Sequence, residues 1–165
     1  MRTAVLSLMS LSLAFAAQAQ DKENSVTVLS DGVPVLVLKL PGKADVTPVK
    51  GKTVIHTEDM YLHLWIVGGA SNVTEGVSRV AEVIKGDVLN FKPSGVTNMT
   101  VCGADAKLLA GPGTEADDGD EGNAEVVVFT AGKGRTIVAC IHGEGKIDPK
   151  EHRAMLAALQ TAKAP

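Results

Sequence analysis

The side chains best able to do chemistry sit in two short stretches. Between Leu108 and Gly132 the chain has no basic residue, yet it carries Glu115, Asp117, Asp118, Asp120, Glu121 and Glu125 among glycines. Carboxylates on a glycine-rich backbone present hard oxygens with adaptable geometry, which suits Ca2+ and its roughly six to eight ligands. Asp117, Asp118, Asp120 and Glu121 are therefore the candidate Ca2+ ligands, and no other cofactor is expected. The spacing of Asp118, Asp120 and Glu125 misses the EF-hand pattern. The competing readings are a solvated loop whose like charges keep the chain soluble, and an acidic patch that docks a partner.

The second stretch is His142-Gly143-Glu144-Gly145, which follows an apolar run. A histidine and a carboxylate two residues apart on an extended backbone point the same way. His142 and Glu144, with His63 and Trp65, form a candidate pocket, and a small hydrolase using His142 and Glu144 is one reading of it. With His56 and His63, His142 could instead build a zinc site, although the spacing resembles no metal signature such as HExxH. Histidines packed or hydrogen-bonded within the fold are the competing reading, as is a core cluster for Trp65, Tyr61 and His63. Ser71 and Ser94 lack a GxSxG elbow, and Gly111-Pro112-Gly113 lacks the lysine and hydroxyl of a phosphate loop. With no catalytic constellation, the reading leans non-enzymatic.

Cys102 and Cys140 are the only cysteines and form a candidate disulfide. Bridging needs Cα atoms within about 7 Å. A strand over 124–130 would hold the two roughly 10 Å apart, so free, buried thiols are the alternative.

The start of the chain carries the address. Arg2 precedes an uncharged apolar run from Ala4 to Ala16, and Ala17-Gln18-Ala19 supplies a small-x-small cleavage pattern. Residues 1–19 read as a signal peptide, and 20–165 as a single α+β domain. The expected location is periplasmic or secreted, with no membrane span after cleavage, because the apolar run is shorter than the ~20 residues a bilayer needs.

Several elements must position these groups. Ser30-Asp31-Gly32 between β-branched runs predicts a hairpin over 25–40. Pro41, Gly42 and Pro48 read as loop, and 53–57 and 61–67 as strands. Asn72, with Glu75 three residues on, predicts a capped helix over 73–85. Strands over 97–104 and 106–110, a long loop over 111–123 and a hairpin over 124–142 follow. A final helix starts at Asp148-Pro149.

This order resembles the fold shared by the PsbP family of photosystem II extrinsic proteins and the Mog-type Ran-binding proteins. The carrying features are the hairpin from Val26 to Leu40 and the helix from Val73 to Lys85 after Trp65-Ile66-Val67. The strand Thr100 to Ala106, the hairpin Val126 to Ile141 and the terminal helix with Met155-Leu156 complete the pattern. The resemblance implies an α/β/α sandwich, a central antiparallel sheet flanked by two main helices, and a non-catalytic binding or assembly role. The acidic loop has no counterpart in that pattern. A protein partner in the cell envelope is the expectation.

Composition narrows the partners further. Hydrophobic residues make up 45% of the 165 and aromatics only 3%, so the core is aliphatic and base-stacking surfaces are excluded. The net charge of -3 argues against nucleic acid as a partner. Most of that charge is local: the six acids between Leu108 and Gly132 sit on an otherwise nearly neutral chain.

Overall fold

In the computed structural model, residues 24–40, 42–49, 51–57, 60–143 and 149–165 are described. The chain opens with the hairpin β1 (Ser25–Ser30) and β2 (Val33–Lys39). Asp31 and Gly32 turn it at φ 53° and 78°, the left-handed pair that matches strand twist in a two-residue hairpin. Next come β3 (Asp45–Val49), β4 (Lys52–His56) and β5 (Met60–Ile66), then the short helices α1 (Val73–Ser78) and α2 (Val80–Ile84). The chain continues through β6 (Val88–Leu89), β7 (Gly95–Val101), β8 (Ala104–Glu115), β9 (Glu121–Ala131) and β10 (Arg135–Gly143). It ends with α3 (Pro149–Gln160).

β3 to β10 form one antiparallel sheet in the order β3-β4-β5-β10-β9-β8-β6, with β7 on the same edge of β8 as β6. Alternation along the strands divides the side chains between two cores. Ile137, Ala139 and Ile141 of β10, with Leu62 and Leu64 of β5, face the β1–β2 hairpin and Met155 and Leu159 of α3. Val138 and Cys140, with Val126 and Val128 of β9, face Val80 and Ile84 of α2.

The expected α/β/α sandwich with two main helices is corrected here. The fold is mostly β, 54% strand against 20% helix, with a large eight-stranded sheet and only three short helices. Two local causes account for the difference. The helix expected over 73–85 breaks at Arg79, whose φ/ψ of -102°/-3° separates α1 from α2. The stretch expected as a loop over 111–123 is largely strand, paired from Gly111↔Ala124 to Thr114↔Glu121. Glycine is needed there: a Cβ at Gly111 would come within 2.2 Å of the Lys92 carbonyl oxygen, where the chain crosses β8. The Pro48 segment is likewise a strand, at the sheet edge where a missing N–H is tolerated.

Candidate functional site

One sheet face gathers polar and aromatic groups beside the α1–α2 core. Register places Tyr61, His63 and Trp65 of β5 opposite His142, Cys140 and Val138 of β10. On the other side of β5, His56, Val54 and Lys52 of β4 pair with the same three residues. Because alternate residues share a face, three strands deliver their rings to one surface. His56 stacks on Tyr61 at 4.4 Å between centroids, and Tyr61 stacks on His142 at 5.4 Å. His63 meets His142 edge-on at 4.8 Å and Trp65 at 5.6 Å.

The turn after α2 adds the charge that organises this surface. Asp87 Oδ1 accepts from Lys52 Nζ and lies 3.0 Å from His63 Nδ1. Burial pushes the Asp87 carboxyl up, but hydrogen bonds and charge from His63 and Lys52 outweigh it and hold the group at about 2. Burial pushes His142 down to about 4, and the nearby His63 adds to the effect. At pH 7 His142 is therefore neutral, and its Nδ1 contact with Glu115 Oε1 at 3.4 Å is not an ion pair.

The pocket residues named from sequence thus fall in different places. His63, Trp65 and His142 share one face, joined by Tyr61 and His56, while Glu144 lies outside the described residues. Lys52 and Asp87 belong to the same surface and carry no sequence signal, since only strand register and the α2 turn bring them there.

The acidic stretch is shorter than a loop of 111–123. A tight turn joins β8 to β9, with the Glu115 N–H donating to the Asp120 carbonyl and the Gly119 N–H to that of Glu115. Carboxylate oxygens of Glu115, Asp117 and Asp118 lie within 4.8 Å of one another. Of the four candidate Ca2+ ligands, Asp117 and Asp118 join this group. Asp120 and Glu121 do not, and Glu115 replaces them. Period-two alternation from Glu115 to Asp117 was the sequence signal for it.

Cys102 lies in the β7–β8 turn at φ 54°, and Cys140 is on β10, with β9 and β8 between them. Both thiols are free, and burial raises the pKa of each, so neither is an activated nucleophile.

The larger clefts lie away from the rings. One, of about 280 Å3, runs between the β1–β2 turn and the β3–β4 edge, over Leu29, Val49, Leu64 and Ile66. The exposed Arg135–Asp31 pair, at 3.2 Å, stands at its rim. Another, of about 390 Å3, is flanked by Ser94, Gly111, Glu125 and His152, with His152 Nε2 at 3.2 Å from Glu125 Oε2. No helix among the described residues is long and apolar enough to cross a membrane. Compared with models of protein families and with curated proteins, the chain matches none.

Proposed function

We propose that this chain is an exported, non-catalytic binding module whose ligand is a small, mainly apolar molecule seated in the cleft over Leu64 and Ile66. The cleft itself carries the reading. Its floor is aliphatic, its volume of about 280 Å3 suits a small ligand, and Arg135 and Asp31 offer polar anchors at the mouth. The sheet face with the richest chemistry supports a non-catalytic role, because Asp87 is committed to Lys52 and His63, and His142 is buried. A binding role is also what the resemblance to PsbP and Mog-type proteins implies, and export follows from the reading of residues 1–19 as a signal peptide.

The test uses the dye 1-anilinonaphthalene-8-sulfonate, which has an apolar ring system and one anionic group. The folded protein should enhance its fluorescence, and Val49→Asp should abolish the enhancement while the melting temperature stays within a few degrees. Equal enhancement by both proteins, or none by the wild type, would refute the cleft as the site.

A second reading is divalent-cation binding at the β8–β9 turn, favoured by the convergence of Glu115, Asp117 and Asp118. Thermal melts with and without Ca2+ decide it, since a ligand at 100 times its Kd adds ~2.7 kcal/mol. An unmoved melting temperature in Ca2+ and in other divalent ions would remove it.

A further inference from the structure

We infer that the cation site at the β8–β9 turn has an imidazole ligand, His142 Nδ1, beside the carboxylates of Glu115, Asp117 and Asp118, and so takes a borderline transition ion such as Zn2+ in preference to Ca2+. The inference rests on the cation reading above and adds the identity of the fourth ligand and the class of ion.

Three observations bring His142 into the cluster. Its side chain is nine-tenths buried, at 10% exposed, and the Glu115 side chain it faces is 12% exposed. Nδ1 and Oε1 are 3.4 Å apart, which is also roughly the separation of two ligand atoms held tetrahedrally by bonds of ~2.1 Å. A void of about 10 Å3, enough for one small occupant, is lined by Glu115 and His142 together with Val88 and Asn123.

The two tautomers of His142 explain what an ion would do there. Nε2 is buried with no hydrogen-bond partner. With the proton on Nδ1, Glu115 is satisfied and Nε2 is left as a buried acceptor with nothing to accept. With the proton on Nε2, that N–H points among the rings around it, and the Nδ1 lone pair meets the Glu115 carboxylate. Two acceptors in contact repel, and a cation bound to both turns the repulsion into attraction. An all-oxygen site would suit Ca2+, Mg2+ or Mn2+, whereas imidazole moves the preference toward Zn2+, Ni2+ or Cu2+.

The experiment titrates the purified full chain with Zn2+ and, separately, with Ca2+ by calorimetry. Zn2+ should bind at least about tenfold tighter. His142→Gln should weaken Zn2+ by about tenfold or more and leave Ca2+ within about twofold, whereas Asp118→Asn should weaken both. A wild-type readout guards against a misfolded variant: Zn2+ should shift the Nδ1 resonance of His142 in a long-range 1H–15N imidazole spectrum. If Zn2+ binds no tighter than Ca2+, or the His142 nitrogen does not move, the imidazole ligand is wrong and the carboxylate site survives. If neither ion binds, both readings fall.

Discussion

His63 Nδ1 lies 3.0 Å from Asp87 Oδ1, so a ring on β5 is tied to the turn that follows α2. Lys52 of β4 shares the same carboxylate oxygen. One acid thus joins two neighbouring strands to the helical layer above them.

Replacing Asp87 by Asn keeps the shape and removes the charge that Lys52 and His63 face. Both partners are mostly buried, so the loss should be about 2 kcal/mol in urea unfolding at pH 7. An unchanged midpoint would mean that the clasp is only a surface contact.

Acid should weaken the fold in two separable steps. His142 has a folded pKa of about 4 against an ordinary 6.5. The unfolded chain therefore takes up a proton first, and stability falls as pH drops from 6.5 to 4, by up to about 3 kcal/mol. Asp87, depressed from 3.8 to about 2, keeps its contribution above pH 4 and loses it as pH falls through 2. His142→Gln should flatten the upper step alone and Asp87→Asn the lower step alone, as read from unfolding free energies at a series of pH values.

Gly76 sets how closely α1 approaches the sheet. A Cβ there would stand 2.6 Å from Val128 Cγ1 and 2.7 Å from Thr136 Cγ2. Gly76→Ala should destabilise by about 1–3 kcal/mol despite the better helix propensity of alanine. Gly86→Ala, with nothing within 4 Å, is the control and should be neutral or mildly stabilising. Equal melting temperatures for the two variants would contradict the packing of α1.

Neither thiol should react readily in the native state. Cys140 is fully buried, and the Cys102 thiol is held protonated by burial. A disulfide reagent should modify Cys140 only after denaturant is added, with Cys102 slow in the folded protein. Material refolded under oxidising conditions should keep both thiols free, and a mass loss of two hydrogens would overturn that.

How far the sequence reached depended on the range of the interaction. The hairpin at Asp31-Gly32 and the Asn72 cap, whose side chain accepts from the Glu75 N–H, are local, and their residue types carry the information. The 111–123 stretch reads as loop because its glycines and acids have low strand propensity, and pairing with β9 and the crossing at Lys92 overrule that preference. The helix over 73–85 has the right period, but its length is decided by a backbone break at Arg79 that periodicity does not encode. His63, Trp65 and His142 carry a ring signal in the chain itself. Lys52 and Asp87 do not, because a register between β4 and β5 and a turn 35 residues away bring them together.

β10 belongs to both cores at once, giving Ile137, Ala139 and Ile141 to one and Val138 and Cys140 to the other. Detaching the β1–β2 hairpin would strip one side of this strand, and detaching the α1–α2 layer would strip the other. Neither layer can leave without baring a wall on which the remaining layer depends. Hydrogen exchange at the amides of β10 should therefore proceed only through global opening, so that the molecule unfolds as a single cooperative unit with no stable half.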